Sequence, residues 1–459
     1  MHFRQFYVGC LAHASYLIGD RDEAVVVDPS RDIEPYLEEA AAHGLSIRWV
    51  LETHLHADFV SGHVDLAART GATIALGARA EAGFAHRALR DGDTIAIGEV
   101  RIRALETPGH TPESLTFLVY EHATDAEPWA ALTGDTLFVG DVGRVDILSS
   151  RLPVGELAGM LYDSLHQRLL ALPDATRVYP AHGAGSLCGR GISSERWSTI
   201  GRERMTNPAL RAMPREAFIA EVTRDVPETP VYFLHSRDLN RQGPPAWSED
   251  GLPPALGAAE AAAAIGRGAI VIDTRPSADY ALAHPAGALH VGLDGQYASW
   301  VGTLVDPDRA IVLVTESDRA AEATMRLARV GYENVVGTMA ADPAIWRAAG
   351  LEVTRLAEET MTRAVREGRR VLDVRRTREW DAGHVAGATH LPLSELGARA
   401  SELDRDAEWV MVCASGYRSV IAASVLERAG FRRLVNAAGG MDAWRAAGLP
   451  VEAGAAARS

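Results

Sequence analysis

The run Thr53-His54-Leu55-His56-Ala57-Asp58-Phe59 packs two imidazoles and a carboxylate into five residues, straight after the apolar stretch Trp49-Val50-Leu51. Imidazole and carboxylate together suit Zn and Fe, and loops at strand ends are where sites are held. Three later runs repeat the arrangement: Thr107-Pro108-Gly109-His110, Thr133-Gly134-Asp135 and Tyr179-Pro180-Ala181-His182-Gly183. A single histidine at a strand end is usually structural. Four ends presenting His54, His56, Asp58, His110, Asp135 and His182 point to a metal centre. Phe59 sits where one more ligand would fit, and a phenyl ring binds no metal.

A second centre is built on sulfur. The apolar run Trp409-Val410-Met411-Val412 leads into Cys413-Ala414-Ser415-Gly416-Tyr417-Arg418, and a helix is predicted from Ser419. A loop entering a helix turns backbone N–H groups toward the cysteine sulfur and favours thiolate and persulfide. Arg418 is placed to bind an oxyanion such as sulfite or thiosulfate. Two residues near the histidine runs have two readings each. Cys188, in a loop of small residues after His182, is either a sulfur relay or a small buried side chain. Arg144 either meets an anionic substrate or closes a surface salt bridge. Cys10 reads as packing, and His63 as the start of a helix without a chemical role.

These residues need strands and helices to carry them. Strands are expected at Phe6–Val8, Ser15–Ile18, Ala24–Pro29, Arg101–Leu105 and Ser114–Tyr120, with helices at Ile33–His43, Val60–Arg69 and Val154–Leu172. At 459 residues the chain holds more than one domain. Its net charge of −15 argues against a nucleic-acid or anionic-membrane partner. It has no apolar run long enough to span a bilayer, and Met1–Gln5 lacks a signal-peptide core. A cytoplasmic location is therefore expected, with no membrane association. Three cysteines, Cys10, Cys188 and Cys413, are too few for a disulfide framework.

Beyond a Pro-rich linker the chain repeats itself. Val271-Ile272-Asp273-Thr274-Arg275 returns as Val371-Leu372-Asp373-Val374-Arg375, and Trp346-Arg347-Ala348-Ala349-Gly350 as Trp444-Arg445-Ala446-Ala447-Gly448. Each copy alternates apolar strands with helices, which predicts a parallel α/β sheet. Matching Arg319 to Arg418 puts Val314 opposite Cys413, so the first copy has no cysteine at this position and cannot carry a persulfide. It is expected to serve as a spacer or docking surface. Arg319 either binds an anion or, as the favoured reading, closes a salt bridge at the start of a helix.

Taken in order, His-x-His-x-Asp, Gly-His, Gly-Asp and Ala-His-Gly resemble the metallo-β-lactamase fold. Within it, Thr53–Asp58, Thr107–Ser114, Gly134-Asp135-Thr136-Leu137-Phe138 and Tyr179–Gly183 resemble the persulfide dioxygenases. The repeat resembles two rhodanese domains, on Cys-x-x-Gly-x-Arg together with Asp373, Gly387 and Gly439–Trp444. The resemblance implies an α/β multidomain chain: an αββα metallo-β-lactamase fold over 1–240, a linker over 241–255, an inactive rhodanese-like domain over 256–354 and an active rhodanese domain over 355–455. It implies one Fe(II) per chain on His54, His110 and Asp135, with positions open for O2 and substrate sulfur. His56, Asp58 and His182 would then orient ligands or bound water, and the chain would form a homo-oligomer. The domain order resembles the fusions of bacterial sulfide detoxification. These imply oxidation of a low-molecular-weight thiol persulfide to sulfite, and sulfur transfer from Cys413 persulfide to sulfite to give thiosulfate. The dinuclear hydrolases of the superfamily carry histidine at the place of Phe59. A Zn-dependent thioester hydrolase of the glyoxalase II type, with docked rhodanese modules, is the alternative. A persulfide carrier or sensor that uses Cys413 alone is a further one.

Overall fold

The apolar runs of the N-terminal half form two six-stranded sheets. One has the order His2–Val8, His13–Asp20, Glu23–Val27, Ser46–Leu51, Thr73–Gly77, Arg87–Leu89. The other runs Ser198–Thr199, Arg177–Pro180, Ala130–Gly134, Leu115–Tyr120, Val100–Glu106, Thr94–Ile97. Val25, Val27 and Leu51 of the first sheet meet Ile102, Phe117, Val119 and Leu132 of the second in one apolar layer. On the far side of the first sheet, Leu17, Val26 and Val50 pack under Tyr36 and Ala40 of helix Glu34–Ala42 and Leu66 of helix His63–Thr70. This is the αββα sandwich, and strand Glu23–Val27 is buried along nearly its whole length because both faces are covered.

The computed structural model describes residues 1–224, 226, 229–247 and 252–453. The chain divides into two units, Met1–Asp250 with Ala328–Gly331, and Gly251–Leu327 with Tyr332–Ser459. Part of the expected linker and the last two residues of the expected 355–455 domain lie outside the described residues. The first part of that linker is not free. Helix Tyr232–Gln242 runs into it, the Gly83 N–H donates to the Arg241 carbonyl at 2.7 Å, and the Arg31 guanidinium donates to the Pro245 carbonyl. Among the described residues no helix is long and apolar enough to cross a membrane.

Two helices differ from expectation, and both differences serve the metal loops. The helix expected from Val60 starts at His63. Ahead of it, Val60 N–H donates to the Arg329 carbonyl at 2.7 Å, Ser61 N–H to Asn240 Oδ1 at 2.8 Å, and Ser61 Oγ to Glu52. Those bonds take the donors away from helical geometry. The long helix expected at Val154–Leu172 is α-helical over Val154–Asp163, a π turn over Ser164–Arg168 and a 3₁₀ turn over Leu169–Ala171. At the junction, Ser164 Oγ donates to the Pro108 carbonyl at 2.6 Å and so anchors the loop of His110.

In the second unit each repeat is a sheet of parallel strands. The first copy has the order Leu289–His290, Ile270–Asp273, Ile311–Thr315, Val335–Ala340. The second has Ala357–Thr360, Leu434–Ala438, Trp409–Val412, Arg370–Asp373, Thr389–His390. Sheet register corrects the sequence alignment by one residue. Asp273 pairs with Val314 as Asp373 pairs with Val412, so Thr315, not Val314, stands opposite Cys413. The shift arises because the turn into the following helix is one residue shorter in the first copy, which displaces any alignment anchored on Arg319. The framework is otherwise duplicated. Arg275 binds Asp273 at 2.6 Å and Arg375 binds Asp373 at 2.6 Å, while His284 stacks on Tyr280 and His384 on Trp380.

Candidate metal centre and sulfur-transfer loop

The candidate metal loops gather at the strand ends of the sandwich, and hydrogen bonds fix the His54 and His110 imidazoles. Asp28 ends strand Glu23–Val27 with a left-handed backbone (φ 51°). Its carboxylate accepts from Thr53 N–H at 2.7 Å and Thr53 Oγ1 at 2.9 Å. With its proton committed to Asp28, the Thr53 hydroxyl can only accept from His54 Nδ1, 3.0 Å away. That places the His54 lone pair on Nε2. His110 Nδ1 donates to the Arg144 carbonyl at 2.8 Å, which does the same for its ring. Burial, with His56 and His110 beside it, holds His54 well below the ordinary histidine range, so the ring stays neutral.

His110 Nε2 lies 3.4 Å and His54 Nε2 3.9 Å from Asp135 Oδ2. Both nitrogens and both Asp135 oxygens are buried without a hydrogen-bond partner. Four unsatisfied donor atoms converging in a closed space fit a cation, which would satisfy them together. Glycine makes the approach possible. Gly134 has φ 52°, and a Cβ there would come 2.6 Å from Thr53 Oγ1. A Cβ on Gly143 would come 1.9 Å from the Asp135 carbonyl oxygen and 3.1 Å from His110 Nδ1.

The other three candidates are arranged differently. His56 turns Nε2 to Asp28 Oδ1 at 3.1 Å and Glu52 Oε2 at 3.3 Å. Burial opposes protonation of that ring, but the two carboxylates outweigh it and hold His56 well above the ordinary range. His182 Nε2 faces Asp58 Oδ2 at 3.2 Å and Asp135 Oδ1 at 3.6 Å. Against the effect of burial, Asp135 and Asp58 push the His182 ring up to about 9. His56, Asp58 and His182 still bring one ligand atom each within 4.8 Å of one another. Phe59, fully buried, closes this side with its ring 4.3 Å from His56 and 4.0 Å from His13.

Cys188 Sγ lies within 4.8 Å of ligand atoms of Asp135 and His182, so the loop after His182 does bring the thiol to the metal loops. Burial, with the Asp58 and Asp135 charges, raises its pKa well above the ordinary thiol value. Arg144 forms a buried pair with Asp146 at 2.6 and 2.7 Å and donates to Thr229 Oγ1 and the Leu187 carbonyl. Its backbone N–H donates to the Cys188 carbonyl at 2.9 Å. Arg144 thus ties His110 to the Cys188 loop through its own main chain. His63 starts its helix as expected and sits 3.6 Å from Glu52.

Four further residues build this centre beside the predicted ones: His13, Asp28, Glu52 and Thr53. His13 is fully buried, pairs in a bridge with His182, and has both ring nitrogens unpartnered among the described residues. Asp28 had a cue in the Asp-Pro that ends a buried strand. Thr53 and Glu52 had one in their place between strand and first ligand.

In the second copy, Cys413 follows strand Trp409–Val412 and is buried. Gly416, at φ 115°, caps helix Tyr417–Arg428, and its N–H donates to Cys413 Sγ at 3.1 Å. Ser419 Oγ lies 3.5 Å from the same sulfur and donates to Asn436. Met441 N–H and Asp442 N–H hold the Cys413 and Ala414 carbonyls at 2.9 Å each. Arg418 is paired with Glu379 at 2.6 and 2.7 Å. The matching Arg319 pairs with Asp294 and Glu322, a helix-start salt bridge as expected.

Comparison with known proteins gives this architecture its class. Residues 8–182 match the metallo-beta-lactamase superfamily, and 257–341 and 355–447 each match the rhodanese-like domain. The chain is 37% identical over 266 residues to a probable metallo-hydrolase of Burkholderia pseudomallei, covering 49% of this chain and 87% of that protein. It is 30% identical over 210 residues to the mitochondrial persulfide dioxygenase ETHE1 of Homo sapiens, covering 45% of this chain and 75% of that protein. A crystal structure of a metallo-beta-lactamase from Staphylococcus aureus superposes with a TM-score of 0.67 at 31% identity, over 74% of this chain and 98% of that one. The chain belongs to the metallo-β-lactamase superfamily. Within it, the chain is a fusion of an ETHE1-like metal domain with tandem rhodanese domains.

Proposed function

We infer that the chain is a non-haem Fe(II) persulfide dioxygenase coupled to a rhodanese sulfurtransferase. The metal half oxidises a low-molecular-weight thiol persulfide: R–S–SH, O2 and H2O give R–SH, sulfite and two protons. The observation that carries this half is the trio His54, His110 and Asp135, whose far nitrogens are already tied and whose inner atoms are unsatisfied. An Fe(II) held there would activate O2 and the terminal sulfur of the persulfide. The protein's own part is to aim both imidazoles, to keep His54 neutral, to exclude bulk water by burial, and to hold a proton between His182 and Asp58 beside the reacting sulfur. Cys188 lies close enough to contact that sulfur.

The rhodanese half acts through Cys413. Its thiolate attacks the sulfane sulfur of a second persulfide, R′–S–SH; the S–S bond breaks, R′–S⁻ leaves and Cys413–S–SH remains. Sulfite then attacks the outer sulfur of Cys413–S–SH and departs as thiosulfate, which returns the cysteine. The Gly416 N–H, bound to Sγ, stabilises the anionic sulfur in both steps. Arg418 serves the oxyanion by exchanging Glu379 for it. Carrying both centres on one chain raises the local concentration of sulfite at the second. The test is Cys413→Ser with a thiol persulfide as substrate. Sulfite should accumulate and thiosulfate should vanish, whereas unchanged thiosulfate would move the sulfur acceptor to Cys188.

One observation favours the dinuclear thioester hydrolase instead. His182 Nε2 and Asp58 Oδ1 are also unsatisfied, next to the first trio. His56 Nδ1 is unsatisfied too; against the hydrolase stand Asp28 and Glu52, which face His56 Nε2 and favour the charged ring over a neutral ligand. Metal analysis separates the two: two Zn per chain for the hydrolase, one Fe for the dioxygenase.

A further inference from the structure

The first rhodanese copy has no cysteine, yet it makes a specific contact with the cysteine loop of the second. Tyr417 follows Gly416 in that loop, and its hydroxyl donates to the Gly292 carbonyl of the first copy at 2.8 Å. Its ring lies so close to Gly295 that a Cβ there would come 2.3 Å from Tyr417 Cζ. The loop that receives it is itself braced. Arg326 donates to the Leu293 carbonyl and, at 2.8 Å, to the Gly295 carbonyl, while Arg319 binds Asp294 at 2.9 Å. The rest of helix Tyr417–Arg428 is pinned to the same copy. The His290 N–H donates to Ser424 Oγ at 3.0 Å, His284 meets Glu427 at 3.2 Å, and Arg428 donates to the Gly287 carbonyl at 2.7 Å.

We propose that the cysteine-free copy is a mould for the Cys413 loop, and that Tyr417 is the positioning residue through which it acts. The step from contact to chemistry is short. Tyr417 and Gly416 share a peptide bond, and Gly416 N–H is the donor to Cys413 Sγ. That N–H lies in the preceding Ser415–Gly416 peptide, and fixing Tyr417 on the other side of Gly416 restrains it through the Gly416 backbone. A rigid donor stabilises thiolate more than one that must be ordered on each encounter. The mould needs glycine at 295 because any side chain would push the ring away. It needs no cysteine of its own, which accounts for Thr315 at the equivalent place. The charged groups around this arrangement are Arg326 and Asp294 beside the Tyr417 ring, and Arg418 with its partner Glu379, Arg376, and Asp373 with its partner Arg375 on the Cys413 side.

This inference rests on Cys413 being the sulfur-accepting thiol, and the experiment separates the two claims. The full-length chain is first treated with a thiol persulfide and the Cys413 peptide is weighed by mass spectrometry. Absence of an added sulfur atom would sink the role of Cys413. The chain is then alkylated with iodoacetamide across a range of pH, with Cys413 followed by its own peptide, in wild type, Tyr417→Phe and Gly295→Ala. Tyr417→Phe keeps the packed ring and removes only the hydrogen bond. It should slow alkylation at neutral pH by about three- to tenfold, the range of one lost hydrogen bond, and move the midpoint of the profile to higher pH at unchanged melting temperature. Gly295→Ala should do the same or more. If it fails to fold, Tyr417→Phe decides alone. A Tyr417→Phe profile that overlays wild type would overturn the proposal.

Discussion

His54, His110 and Asp135 are neighbours of His56, Asp58 and His182 and are made of the same residue types, yet the two sets differ in where their protons are held. In the first set, each imidazole gives Nδ1–H to an oxygen on its outer side and keeps an unshared pair inward. In the second, His56 turns Nε2 to two buried carboxylates that favour its charged form although Nδ1 stays unpartnered, and Asp58 and Asp135 favour a proton on His182. The lesson is that ligand type does not make a ligand. The partner on the far nitrogen decides whether an imidazole offers a lone pair or a charge. One set is poised for a cation, and the other carries internal positive charge of its own beside it.

Substitutions should split the two sets. The largest effect is expected from His110→Ala, which removes an inward lone pair from a site with few others. Bound iron, measured by mass spectrometry of the desalted chain, should fall to background and oxygen uptake with it, while the fold survives. Next comes His56→Gln. It leaves Asp28 and Glu52 buried without their cation, which costs about 3–5 kcal/mol, and this should appear as lowered stability in urea unfolding. If His56→Gln were instead fully stable and metal-free, His56 would be a ligand and the comparison would break. The smallest effect is expected from Thr53→Val, which leaves every ligand in place but frees the His54 ring. Metal affinity should weaken by about 10–100-fold, measured by competition with a chelator.

Much of this was legible in the sequence, for a definite reason. A buried strand that runs straight into a turn bearing His or Asp is a local pattern, and four of them announced the metal domain. The Cys413 loop announced itself in the same way, by an apolar strand running into a small-residue turn. What was not legible depends on contacts distant in the chain. His13 looks like any strand residue until the bridge to His182 is formed. Val60–Gly62 read as helix, because nothing local reveals that Asn240 and the Arg329 carbonyl will claim their N–H groups. Arg418 read as a free cation for substrate and Arg144 as either that or a salt-bridge partner, and folding gives each a carboxylate, Asp146 for Arg144 and Glu379 for Arg418. Thr315 was misaligned by one because helix-start motifs, unlike sheet register, do not count residues in a turn.

The metal loops should take one redox-active ion. The direct measurement is anaerobic reconstitution of the full chain with Fe(II), metal analysis after desalting, and oxygen uptake on addition of a thiol persulfide. One iron per chain, with one O2 consumed for each sulfite formed, is the predicted result. Two metal ions per chain and no oxygen consumed would contradict it.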